Sequence, residues 1–163
     1  MLIEIKNKDT LIIDDFIFRC VIGKKGIKSK KIEGDKCTPR GTYSIGKLYY
    51  RKDRLDKPKT QLSTQIIKKN LGWCDDPNNK YYNSQIKIDN KIKCEKLFRL
   101  DHTYDCLIVI NYNVKNTKPY KGSAIFIHLT KNYKKTLGCI ALKKKDFLIL
   151  AKLINKKTKI KIH

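Results

Sequence analysis

The chain has 163 residues and a net charge of +23, from 38 Lys and Arg against 15 Asp and Glu. Hydrophobic residues make up 40% of it, enough to bury a core within one domain spanning 1–163. No apolar run reaches bilayer-crossing length, which excludes a helical membrane span. The charge points to an anionic partner such as nucleic acid, a membrane surface or a cell-wall polymer. Yet the basic set is 33 Lys against 5 Arg, scattered along the chain. Lys lacks the planar fork of Arg, so a solvated Lys-rich surface is expected ahead of a dedicated nucleic-acid site.

Leu2 to Ile5 and Leu11 to Ile13 read as strands around a turn at Asn7-Lys8-Asp9, and Phe16 to Ile22 as a third strand. This start has no basic segment followed by a long apolar core, so no signal peptide is expected, and a start at Met1 implies the cytoplasm. Residues 23–35 are basic and Gly-containing, a loop. Pro39-Arg40-Gly41 reads as a turn, because Pro presets φ and Gly accepts positive φ. Thr42 to Arg51 alternates aromatic and polar residues, a β pattern. Residues 54–70 are polar with few apolar anchors and are expected to run over the surface.

Trp73 then stands in Gly72-Trp73-Cys74-Asp75-Asp76-Pro77. It suits either core packing with its indole N–H satisfied or a wall of a cleft. Tyr82 carries the same two readings. Residues 96–104 are expected as a short helix or loop. Cys106 to Ile110 is apolar throughout, a central buried strand. Asn111 and Tyr112 end it, either in a turn or reaching a site. Spacings of three and four among Phe147, Leu148, Leu150, Ala151 and Ile154 predict an amphipathic helix within 143–154. Residues 157–162 alternate again and are expected as a last edge strand guarded by Lys.

The six cysteines stand at 20, 37, 74, 94, 106 and 139. None shows C-x-x-C spacing, so no zinc site or other metal is implied, and reduced structural thiols are expected, with Cys139 set apart. Around Cys139 the sequence runs Ser123-Ala124-Ile125-Phe126-Ile127-His128, a Lys-rich loop, then Thr136-Leu137-Gly138-Cys139-Ile140-Ala141-Leu142. Sequential strands usually neighbour each other, which would bring His128 close to Cys139. A thiol beside an imidazole is a minimal nucleophile–base pair. The same residues also fit a small buried thiol and a structural His.

The segment from His128 through Thr136-Leu137-Gly138-Cys139 resembles the active-site segment of the L,D-transpeptidase (YkuD-type) catalytic domain. Upstream, Gly34-Asp35-Lys36-Cys37-Thr38-Pro39-Arg40-Gly41-Thr42-Tyr43 resembles that family's Gly-Asp-x-x-Thr-Pro-x-Gly-x-aromatic segment. The resemblance covers most of the chain and implies a mostly β, mixed sandwich-like fold with one C-terminal helix. It implies Cys139 as nucleophile, His128 as base, the Gly138 and Cys139 amides as oxyanion donors, and no cofactor. Read from their places in the chain, Thr136, Trp73, Tyr82, Asn111 and Tyr112 are candidate substrate contacts, with Thr136 equally suited to a solvent-facing hydroxyl. It further implies a peptidoglycan stem peptide as substrate, a monomer, and a periplasmic or cell-envelope location. Three positions depart from the family pattern: Leu137 replaces a His, Leu129 a Gly, and Ala141 an Arg or Asn. Two other functions are compatible with the residues: a Cys–His peptidase or amidase using water as acceptor, and a non-catalytic basic module binding an anionic polymer.

Overall fold

A computed structural model describes residues 1–163. In chain order the strands are β1 (Leu2–Lys6), β2 (Thr10–Ile13), β3 (Phe16–Arg19), β4 (Ile27–Lys28), β5 (Thr38–Pro39), β6 (Gly41–Tyr50), β7 (Thr64–Ile66), β8 (Leu71–Cys74), β9 (Gln85–Lys87), β10 (Cys94–Lys96), β11 (Cys106–Ile110), β12 (Phe126–Leu129) and β13 (Ile140–Leu142). The single helix α1 (Lys144–Leu153) and the strand β14 (Lys159–Ile162) complete the chain. The mostly β architecture with one helix near the C-terminus is as expected.

The main sheet runs β13-β12-β11-β6-β14-β1-β2-β3, with β7 paired to β6 beside that path. It bends toward closure. After β3 the chain stays extended, and Val21 exchanges both backbone hydrogen bonds with Ala141 on the opposite edge strand, at 3.0 and 2.9 Å. The expected strand from Phe16 to Ile22 is therefore divided between two partners, and its second half seals a near-barrel. The sequence cannot show this, because an apolar run looks the same whichever edge it meets.

Strand alternation gives the sheet two different faces. Cys106, Ile108 and Ile110 of β11 and Ile127 and Leu129 of β12 join the larger core, closed by Phe147, Leu150 and Ala151 of α1. Leu107, Val109 and Phe126 point the other way, into a second cluster with Trp73, Leu97 and Tyr104. That side is covered by the small sheet β10-β8-β9.

Several expectations change. β14 is no edge strand: it lies between β1, parallel, and β6, antiparallel. Its alternation reports one solvated face carrying Lys159 and Lys161, and a period of two says nothing about how many edges are paired. The stretch 54–70 is more than a surface excursion. It contributes β7 and buries Leu62 and Ile67. Of residues 96–104, expected as a short helix or loop, Lys96 ends β10 (Cys94–Lys96) and 97–104 are loop. Pro39-Arg40-Gly41 joins two strands instead of making a turn. Gly41 sits at φ +137°, where a Cβ would lie 2.6 Å from the Tyr43 hydroxyl, so only Gly fits. No helix is long and apolar enough to cross a membrane.

Candidate active site

β12 and β13 lie side by side and parallel, with Ile127 opposite Ile140 and His128 opposite Ala141. Residues 130–139 form the connecting loop. Because Ile127 and Leu129 fill the helix-covered core, parity turns His128 to the other face, and Cys139 enters the same region just before β13.

The Cys139 thiol donates to the Ala124 carbonyl at 3.2 Å, and its sulfur accepts from the Phe126 amide at 3.4 Å. The His128 ring contacts the Leu129 carbonyl through Nδ1 at 2.9 Å. A carbonyl only accepts, so the proton belongs on Nδ1 and the lone pair on Nε2. The Tyr104 ring meets the imidazole edge-on at 5.3 Å between centroids. His128 and Cys139 are each 7% exposed and both line one cleft. No hydrogen bond joins them: the thiol is held by backbone groups.

Burial sets the charge states. It pushes the Cys139 thiol up to about 12, with the nearby Glu95 carboxylate acting in the same direction. It pushes His128 down to about 4, against the pull of the Leu129 carbonyl. The resting pair is thus a neutral thiol and a neutral imidazole, not an ion pair.

Four short contacts lock the loop that presents Cys139. Thr136 Oγ1 donates to the Cys139 carbonyl at 2.6 Å and accepts from the Gly138 amide at 3.1 Å. Thr38 Oγ1 donates to the Gly138 carbonyl at 2.8 Å and accepts from the Gly23 amide at 2.9 Å. Gly138 has φ +145°, and a Cβ there would meet the Cys37 carbonyl at 3.0 Å. That carbonyl is held in turn by the buried Lys31 ammonium at 2.6 Å, which pairs with Asp35. The upstream Gly34-Asp35…Thr38 segment therefore acts as the mount of the loop that carries Cys139. With the Gly138 amide bonded to Thr136, the amides left unpaired at this turn are those of Leu137 and Cys139.

The cleft has a volume of about 1120 Å³. Its lining carries both signs of charge, with Lys93 beside Asp75 and Arg99 beside Glu95. Glu33, Asp75 and Glu95 line it together with these cations, and the 130–139 loop adds Lys131, Lys134 and Lys135. Glu95 accepts a hydrogen bond from the buried Tyr104 hydroxyl, and Glu33 accepts from Ser123 at 2.8 Å and from Tyr82. Burial raises Asp75, whose Oδ1 is enclosed without a partner, and it raises Glu95 as well.

Thr136 lines the cleft beside His128 and Cys139. The other four side chains expected to contact substrate lie outside its lining. Trp73 is 5% exposed and packs edge-on against Phe126 and Tyr49, its indole N–H donating to Asn83 at 3.0 Å. Tyr82 is buried behind Glu33. Asn111 bonds Ser44, and Tyr112 meets Tyr43 edge-on and bonds the Lys121 carbonyl. Each is occupied in packing or in holding a loop. Glu33, Asp75, Glu95 and Tyr104 were not singled out from sequence. The alternation of Cys94-Glu95-Lys96 was the available signal for Glu95, but a three-residue strand is too short to stand out.

A family model described as the L,D-transpeptidase catalytic domain matches residues 3–162. No curated protein matches the chain.

Proposed function

Because the chain belongs to the L,D-transpeptidase catalytic-domain family, we propose that it transfers acyl groups of peptidoglycan stem peptides through a Cys139 thioester, remodelling or cross-linking a cell wall in the envelope. The carrying observation is that Cys139 and His128 line one cleft, with a lone pair on Nε2 and an unpaired Cys139 amide at the same turn. Cys139 Sγ would attack the carbonyl of the L-centre residue while His128 Nε2 takes the thiol proton. The carbonyl oxygen would become an oxyanion held by the Cys139 amide. Collapse breaks the amide bond, His128 returns the proton to the leaving D-amino acid, and a thioester remains. An incoming amine then takes the acyl group and restores the thiol. A thiol near 12 and an imidazole near 4 support transfer during attack over a standing thiolate. The Lys-rich loop wall suits a stem-peptide carboxylate.

The test is to incubate the pure protein with a disaccharide-tetrapeptide and an amine acceptor and to read products by mass. We expect an acyl adduct on the Cys139 peptide, a released D-amino acid, and an amide of the acceptor. A product carrying a free acid instead would identify water as acceptor. Turnover that survives in Cys139→Ala would overturn the reading.

A further inference from the structure

β8 and β10 are antiparallel, and their register sets Cys74 directly opposite Cys94. Directly opposed residues project to the same face of a sheet, so both thiols lie on one side of the small sheet. Trp73 and Glu95 are opposed one step along and face the other way.

The backbone hydrogen bonds show which kind of pair this is. The Cys74 amide donates to the Ser84 carbonyl at 2.9 Å, and the Cys74 carbonyl accepts from Asn83 at 2.8 Å. Both of its backbone groups therefore turn toward the β9 side, away from Cys94. The pair across to β10 is non-hydrogen-bonded, the type in which Cα atoms approach to about 4.5 Å. That falls inside the window of about 4.4–6.8 Å that a disulfide spans. The neighbour on the same face is Gly72, and Cys94 Sγ lies over it, 2.9 Å from where a Cβ would stand. The missing side chain leaves the Cys94 thiol free to turn. Both cysteines are reduced. Cys106 is opposite Tyr50, and Cys20, Cys37 and Cys139 lie outside the named strands.

We propose that Cys74 and Cys94 are a redox-modification site that closes to a cross-strand disulfide when a small disulfide oxidant is present. Cys94 is the partly exposed member and Cys74 is fully buried, which orders the steps. Cys94 thiolate attacks the oxidant disulfide and releases one thiol, leaving a mixed disulfide on Cys94. Cys74 thiolate attacks the Cys94 sulfur and releases the second thiol. The protein loses two hydrogens and the oxidant is reduced to two thiols. The groups facing the pair are Asp75, Asp76 and Lys96, and burial leads in raising both thiols, so closure accelerates as pH rises. Asp75 and Glu95, the residues next to the two cysteines, stand in the cleft wall, so the disulfide would fasten that wall. The inference rests on strand register and does not depend on Cys139 chemistry.

The experiment treats Cys139→Ala with oxidised glutathione at pH 8.5, alkylates residual thiols, and maps peptides by mass. We expect one linked pair, the Cys74 peptide joined to the Cys94 peptide, with Cys20, Cys37 and Cys106 alkylated. The melting temperature should rise by roughly 5–10 °C on oxidation and return with reductant, as for a bridge closing a loop of this length. Cys94→Ser should show neither the link nor the shift. Separate alkylation of Cys74 and Cys94 after oxidation, or a link from either to another cysteine, would overturn the proposal.

Discussion

The two faces of the main sheet are built from alternate residues of the same strands, yet they differ in kind. The helix-covered face is closed by Ile108, Ile127, Phe147 and Leu150, all at 0% exposure, and its buried cluster holds no carboxylate, ammonium or imidazole. The cleft-side face keeps an apolar floor of Leu107, Val109 and Phe126 but sets Cys139, His128, Tyr104 and Glu95 at its border. One face is free to maximise packing. The other places titratable groups where water is scarce, which destabilises their charged forms, raising Cys139, Tyr104 and Glu95 and lowering His128. Stability and chemistry are divided between side chains one residue apart.

Mutations on the two faces should therefore fail differently. The largest effect is expected at His128. His128→Ala should lower the rate of Cys139 acylation by about 10²–10⁴-fold, followed as adduct mass against time with a carbapenem-type β-lactam acyl donor. Equal rates in wild type and variant would remove His128 from the mechanism. On the sealed face, Phe147→Ala should cost about 3–5 kcal/mol of stability by urea unfolding, while the protein that remains folded acylates at the wild-type rate.

The third expectation concerns pH. His128 lies below its unfolded value of 6.5, at about 4 when folded. Between these values the unfolded chain binds the extra proton, so stability present above pH 6.5 is lost as pH falls toward 4. The full effect is about 3 kcal/mol, and urea titrations at pH 7 and 4.5 should show most of it, reduced in His128→Gln. The smallest effect is expected at Leu137, which replaces the family's second His and is 68% exposed. Leu137→Ala should shift stability by less than about 0.5 kcal/mol and acylation only slightly. A large loss there would mean that the loop wall, not the buried pair, limits the reaction.

The sequence revealed the strands with clean periods and the one helix, because a period of two or of 3.6 is a local property. It also paired His128 with Cys139, since their strands are consecutive. What it concealed was partnership. Lys159 to Ile162 alternates identically whether it ends a sheet or sits within one. Cys74 and Cys94 look unrelated by spacing and become opposed only through the β8–β10 register. Asp75, Glu95 and Tyr104 reach the cleft from separate strands and turns, and no linear pattern joins them. Trp73 and Tyr82 show the converse: aromatic residues near a motif suggest a cleft wall, but their hydrogen bonds to Asn83 and Glu33 commit them to the frame.

The position of β14 has a consequence for how the chain acquires its shape. During synthesis β1, β2 and β3 can pair among themselves, and β6 can pair with β7 and β11, but apart from the isolated Val21–Ala141 and Gly23–Thr136 bridges the two groups are not joined until Lys159–Ile162 is laid between them. Until then β1 and β6 each present an open row of amides and carbonyls to their surroundings. Contacts between residues so far apart in sequence also make the final search slow. A ribosome-stalled chain lacking only its last residues should thus be a sticky pair of half-sheets, and it should gain protease resistance abruptly when the last strand emerges.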